Sequence, residues 1–136
     1  MATQDKQGKV GKEKRISLIA AFKYAFKGIG HAFMEGRNFK IECIIGIAAI
    51  VLGFIFKIDV PSWLAVVICI GLVLGAECAN TAIESVVDLV SPEYHDLARI
   101  AKDCAAGAVL LFALAALIVA VVLYAPPLLA IIGITL

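Results

Sequence analysis

Glu77-Cys78-Ala79-Asn80-Thr81-Ala82-Ile83-Glu84-Ser85-Val86-Val87-Asp88 is the stretch that decides how this chain folds. It follows sixteen uncharged residues, Pro61 to Ala76, and continues the same helix. At about 100° per residue, Glu77, Asn80, Thr81, Glu84 and Asp88 share one sector of that helix. Cys78, Ala82, Ile83, Val86 and Val87 cover most of the remainder. A stripe of two glutamates, an amide and an aspartate thus runs along a helix otherwise suited to lipid. Each ionisable group at membrane depth costs at least ~2.5 kcal/mol, so such a stripe marks a functional site by default. The competing reading is an interhelical hydrogen-bond seam or the wet end of a span. Three acids on one stripe, however, repel each other unless a cation is near.

Composition points to the same solvent. In 136 residues, 62% are hydrophobic and the mean hydropathy is +1.01, far above globular values. The net charge of +1 conceals an asymmetry, since nine of the twelve Lys and Arg lie within residues 1–40. The four cysteines are widely spaced, without metal-ligand or redox spacing, and read as small helix residues. The polar, basic first forty residues lack the compact apolar core of a signal peptide.

Residues 1–14, rich in Lys, Gln and Gly, form a basic tail expected to be disordered. Its Gly8-Lys9-Val10-Gly11-Lys12 lacks the spacing and the preceding strand of a phosphate loop. From Arg15 to Glu35, Ile19, Phe22, Phe26, Ile29 and Phe33 recur at helical spacing, with Lys23, Lys27 and His31 on another face. That pattern is an amphipathic helix for the membrane surface. Cys43 to Phe56 is uncharged but, at fourteen residues, short for a ~30 Å hydrocarbon layer. The first span therefore starts near Asn38 and ends at Lys57, with Lys40, Glu42 and Lys57 snorkelling or facing protein. A turn through Asp59 leads to a second span over 61–90, with Pro61 at the helix start and Trp63 at the interface. Ser91 to Asp96 is a polar loop, and Leu97 to Asp103 a short polar helix leading into a third span over 104–125. Pro126-Pro127 is expected to end that span, leaving residues 126–136 as an apolar tail. The fold class is all-α: a surface helix plus three membrane spans in one domain, 15–125. Gly46, Gly53, Gly71 and Gly75 permit close helix approach. The basic N-terminus sets the orientation, with the 88–103 loop on the cytoplasmic side.

An acidic helix end facing the cytoplasm, beside a loop carrying Tyr94, His95, Arg99 and Lys102, suits phosphate chemistry. Mg²⁺ typically takes one or two carboxylates plus phosphate oxygens, and Lys102 is placed to neutralise phosphate as a point charge. Glu77 lies two helical turns, ~10 Å, deeper than Glu84. There a desolvated carboxylate is disposed to accept a proton from an alcohol. Phosphoryl transfer demands mostly positioning and charge neutralisation, so these groups suffice without a phosphate loop. Taken singly, Tyr94 reads equally as an interface aromatic, His95 as solvated, and Arg99 and Lys102 as topology signals.

Together with Glu93-Tyr94-His95 and Ala101-Lys102-Asp103, the 77–88 stretch closely resembles the signature E-x-x-N-[ST]-A-I-E-x-V-V-D of the prokaryotic diacylglycerol kinase family. The family's Gram-positive members are undecaprenol kinases. The resemblance is most specific over 77–109 and extends without gaps back to about Tyr24. It implies a homotrimer of three-span subunits that moves the γ-phosphate of ATP, with Mg²⁺, to a lipid alcohol at the cytoplasmic face of the cell membrane. It further implies Glu77 as general base, supported by Asn80 and Asp88, and Glu84 as metal ligand and nucleotide contact. Tyr24, Glu93, Tyr94, His95, Lys102 and Asp103 would hold ATP. Candidates for the lipid substrate are Phe26, Phe33, Asn38, Phe39 and Lys40 together with Glu77. Two positions depart from the family. Gly36 stands where a second metal-binding glutamate is expected, with Glu35 one residue early as the substitute ligand. Ser17 stands in place of an ATP-contacting arginine, with Arg15 the nearest replacement. The wording of 88–95 and 105–111 resembles the undecaprenol branch more than the diacylglycerol branch. A small proton-coupled transporter subunit using Glu77 as carrier is the reading from another class.

Overall fold

The computed structural model describes residues 17–134. The N-terminal tail with its Gly8–Lys12 segment, and Arg15, lie outside the described residues. Four helices follow one another: α1 (Leu18–Glu35), α2 (Arg37–Phe56), α3 (Val60–Val90) and α4 (Asp96–Ile131). The last three are each long and apolar enough to cross a membrane. They run up, down and up, so the ends of α3 and α4 near residue 90 share one side with the start of α2.

Each junction has a local cause. The Ser17 hydroxyl accepts from the Ala20 N–H at 3.3 Å and starts α1 as its cap. The break between α1 and α2 falls at Gly36, whose N–H donates to the Ala32 carbonyl at 2.8 Å. Phe33 and Phe39 meet edge-to-face across this bend, centroids 6.3 Å apart. Lys40 Nζ reaches back to the Met34 carbonyl at 2.9 Å, satisfying a group the end of α1 would otherwise leave open. Lys57 ends α2 in the left-handed region (φ 50°), and the Asp59 carboxylate starts α3 by accepting from the Ser62 N–H at 3.1 Å. Hydrogen bonding from Ser62, its side chain first and its backbone N–H second, holds the Asp59 carboxyl below its ordinary range. Trp63 lies over Gly53 and against Phe54, ring centroids 4.8 Å apart.

α3 packs chiefly on α4, and α2 leans on both with far fewer contacts. Gly46 admits Ile70 at the α2–α3 crossing. Gly71 and Gly75 are not used this way: both face open space, so the close approach expected there is not made within one subunit. At the α2–α4 crossing, the Tyr124 hydroxyl donates to the Ala49 carbonyl at 2.8 Å. The buried residues are few, among them Val66, Val73, Ala105 and Val109, while dozens of large apolar side chains point outward. Only 6% of the most apolar stretch of α4 is buried. Such a surface belongs in lipid or against another chain.

Two expectations change. No separate polar helix precedes the third span, because α4 is continuous from Asp96. Nor does Pro126-Pro127 end it; the helix runs through both prolines to Ile131. The stop lies instead at Gly133 (φ 81°), where the Ile134 N–H donates to Leu129 O and the Gly133 N–H to Ala130 O. This paired pattern, with glycine in the left-handed conformation, is a strong helix terminator. Prolines are tolerated inside membrane helices where neighbouring groups or local adjustment satisfy the freed carbonyls.

Candidate functional site

The acidic stripe lies on α3 as its spacing requires, and its members differ sharply in exposure. Glu77 is 4% and Asn80 7% exposed, whereas Glu84 and Asp88 are open. Thr81 and Ser85 direct their hydroxyls to the backbone carbonyls of Glu77 and Thr81, at 2.9 and 2.8 Å, so neither competes for the carboxylates. The Asn80 amide donates to Glu84 Oε1 at 3.1 Å, fixing that carboxylate along the helix. The other end of the Asn80 amide, Oδ1, is buried without a partner among the described residues.

Further along, Asp88 pairs with Lys102 of α4 across the loop. This ion pair ties the end of α3 to the start of α4 and brings two sequence-predicted residues together. Asp103 pairs with Arg99 at 2.7 Å, one turn away on the same helix. In the loop, the Ser91 hydroxyl donates to the Glu93 carbonyl at 3.1 Å. His95 caps α4, its Nδ1 accepting from the Leu97 N–H at 3.2 Å. Tyr94 is 79% exposed and donates its hydroxyl to Asp96 at 2.8 Å. Glu93, Tyr94 and His95 are therefore held on the surface, within the short connection between α3 and α4. Tyr24 stands exposed on α1, which packs against α3.

The candidates for lipid contact divide. Phe26, Phe33 and Asn38 are exposed. Phe39 is not available: at 3% exposure it fills the inside of the α1–α2 bend against Phe33. Lys40 is exposed, but its ammonium is engaged by the Met34 carbonyl.

One residue was under-read in the sequence. Glu42 was expected only to snorkel or face protein. It does face protein, lining a cavity between α2, α3 and α4, with Oε2 buried and unpartnered among the described residues. It lies within electrostatic reach of Glu77. The signal was available: a carboxylate one residue ahead of an apolar run is costly unless it has a task.

No three His, Cys, Asp or Glu side chains converge to hold a metal ion among the described residues. A cation caged by protein alone is thus not built here. Glu84 nevertheless offers an exposed carboxylate with one oxygen fixed by Asn80, which fits a cation that takes most of its ligands from phosphate and water.

Residues 23–124 match the profile of a family described as prokaryotic diacylglycerol kinase. The chain belongs to that family. It is a family of lipid kinases, and similar proteins carry corresponding names. A diacylglycerol kinase from Synechocystis is 46% identical over 114 residues, covering 83% of this chain and 65% of that protein. An undecaprenol kinase from Bacillus subtilis is 35% identical over 111 residues, 82% of this chain and 90% of the relative. A diacylglycerol kinase from Escherichia coli K12 is 34% identical over 105 residues, 77% and 83% of the two chains. The chain thus spans just under two thirds of the Synechocystis relative and most of the other two.

Gly36, where the sequence resemblance implies a glutamate, sits in a closed bend. A Cβ there would lie 2.6 Å from the Ala32 carbonyl oxygen and 3.1 Å from Phe39 Cβ. The bend in this chain has closed onto a position that admits no side chain. Glu35, the substitute considered from sequence, is exposed at the end of α1.

Proposed function

We propose that this chain phosphorylates a membrane lipid alcohol at the expense of ATP, with undecaprenol as acceptor. The observation that carries the reading is the gradient along α3, from a buried carboxylate at Glu77 to the exposed Glu84 and the Asp88–Lys102 pair. A lipid hydroxyl and a cytosolic phosphate donor have to meet at such a depth boundary.

In the proposed step, Glu77 accepts the hydroxyl proton as the lipid oxygen bonds to the γ-phosphorus. The bond from that phosphorus to the bridging oxygen breaks, and ADP departs. Asn80 orients Glu84, and Lys102, shared with Asp88, turns its charge to phosphate. Glu93, Tyr94, His95 and Asp103 border the nucleotide, with Tyr24 from α1 and Arg15 from the preceding segment. Mg²⁺ held by Glu84, and by Glu35 if the bend opens, would neutralise charge on the transferring phosphate. Phe26, Phe33 and Asn38 face the lipid.

The orientation places the N-terminus and this end of the bundle in the cytoplasm, and α1 lies on the membrane surface with its phenylalanines toward lipid. Assembly into a homotrimer is supported by the open α3 face at Gly71 and Gly75. Diacylglycerol is the alternative acceptor, favoured by the name of the 46% identical relative. Membership of a lipid kinase family leaves the transporter reading without support. The test is ATP turnover by purified protein in detergent micelles, with undecaprenol and diacylglycerol offered separately and Glu77→Gln as control. Turnover that neither lipid stimulates, or that survives Glu77→Gln, refutes the proposal. Stimulation by diacylglycerol alone replaces the acceptor.

A further inference from the structure

Charge is spread unevenly along this chain, and its basic excess gathers on and before α1. Residues 1–40 carry nine Lys and Arg against three acids, Asp5, Glu13 and Glu35. Lys6, Lys9, Lys12 and Lys14 precede α1 in the sequence, while Lys23 and Lys27 lie on it. Around α1, at about 100° per residue, the side chains sort into separate sectors. Ala25, Gly28 and Ala32 face α3, leaving a space of about 240 Å³ against Cys78, Ala82 and Ser85. Phe22, Phe26 and Phe33 form the next sector, all exposed. Lys23 and Lys27 follow, about 150° round the helix from the α3-facing residues and likewise exposed. Neither lysine makes an ion pair among the described residues. Glu35, the one acid of α1, lies in the remaining sector with Tyr24 and His31.

We propose that Lys23 and Lys27 form a recognition flank for anionic phospholipid headgroups, reinforced by the four lysines that precede α1. With the phenylalanines turned to hydrocarbon, the next sector round the helix comes to the height of the lipid phosphates. Lysines on an amphipathic helix place their ammonium groups there. The opposite flank is taken by α3, so α1 is held by protein on one side and by headgroups on the other. The α3 side is built of small residues around a gap and buries little apolar surface, so the headgroup side shares in holding the helix. A zwitterionic headgroup carries its own ammonium beside its phosphate and offers these lysines little net field; an anionic headgroup offers a full charge. Clusters of about four to eight Lys and Arg on or beside an amphipathic helix recognise anionic lipid in this way, and this chain has six such lysines. A soluble acidic partner would meet the sector of Tyr24 and His31 instead, which faces away from hydrocarbon. The assignment adds a partner to the lipid-kinase reading and does not depend on it.

The test follows a tryptophan placed on α1. Phe22→Trp sets one beside Lys23, while Trp63, the chain's single native tryptophan, reports from the opposite end of the bundle. The full-length variant is reconstituted in phosphatidylcholine vesicles that carry a minor fraction of brominated phosphatidylglycerol or, separately, of brominated phosphatidylcholine. Quenching is compared, with the parent protein supplying the Trp63 contribution. A basic residue near an anionic surface is worth about fivefold, so the added tryptophan should prefer phosphatidylglycerol at least about fivefold. Lys23→Gln with Lys27→Gln should lower that preference at least about threefold, whereas Lys23→Arg with Lys27→Arg, which keeps the charge, should retain it. Salt at about 1 M, where screening falls to about 3 Å, should abolish it. Equal quenching by the two brominated lipids at low salt overturns the inference. So does a preference unchanged in the glutamine pair, or lost in the arginine pair while Trp63 quenching stays as in the parent. A glutamine pair that keeps the lipid preference but raises KM for ATP assigns the lysines to nucleotide and also overturns it. Lipid preference in a protein that turns over no ATP would instead refute the kinase reading and leave the headgroup flank standing.

Discussion

Gly36→Ala tests the account of the α1–α2 bend through the sign of its effect. The Gly36 backbone (φ −79°, ψ 112°) is open to any L-residue, so the glycine is not there for conformational reach. On backbone grounds alone, alanine should stabilise by about 0.4–1 kcal/mol, because it narrows the unfolded ensemble. The structure says otherwise. The new Cβ would stand 2.6 Å from Ala32 O and 3.1 Å from Phe39 Cβ, and neither neighbour is the free end of a flexible side chain. Ala32 and Phe39 are both buried, so relief requires the bend itself to open. Overpacking of this kind costs about 1–3 kcal/mol, leaving Gly36→Ala destabilised by about 1.3 kcal/mol when the middle of each range is taken. Reversible unfolding of the purified protein in mixed detergent–SDS micelles measures this directly. A variant as stable as the parent, or more stable, would refute the closed bend. The same geometry predicts that Gly36→Glu, which adds the carboxylate the resemblance implies, does not tighten Mg²⁺ dependence, because the side chain arrives on a displaced backbone.

Glu77→Gln should lower kcat by about 10²–10⁴ with little change in KM for ATP, as expected for loss of a general base; parallel changes in both would argue for a structural role. Asn80→Ala releases Glu84, and the Mg²⁺ concentration for half-maximal turnover should rise about 10–100-fold, as when a partner that orients a ligand is removed. Tyr124→Phe removes one buried hydrogen bond and should cost about 0.5–1.5 kcal/mol in the same unfolding experiment, with ATP affinity unaffected. The Asp59 cap contributes above the ordinary carboxylate range and is lost as pH falls through its lowered pKa. Asp59→Asn, which still caps, should therefore flatten the acid limb of the stability–pH profile, and an unchanged limb would count against the cap.

The apolar helices were legible in the sequence because such a helix needs only length and composition to be recognised, and the boundaries of the first two moved little. Arg37–Phe56 and Val60–Val90 differ from the expected 38–57 and 61–90 by a residue at an end or two. The end of α4 was misjudged because proline was weighed as it is in water, while Gly133, the residue able to adopt the left-handed stop, went unread. The row from Glu77 to Asp88 was visible because spacing alone places it on one face. Its gradient of burial was not, since burial of Glu77 depends on what the neighbouring helices bring over it. Phe39 shows the same limit: an aromatic near the start of a span reads as lipid-facing until the bend at Gly36 turns it inward.

The buried Glu77 and the half-buried Glu42 come from different helices, which explains why one motif exposed one and hid the other. Glu77 is flanked by Asn80 and Glu84 within three turns, so its chemistry is written locally. Glu42 stands alone on α2 and acquires meaning only when α3 and α4 close a cavity against it. A carboxylate oxygen kept dry and unpartnered is a standing cost to the fold, and a better-packed apolar residue would remove it. Asn80 Oδ1 is buried too, one turn from Glu77, and has no donor among the described residues.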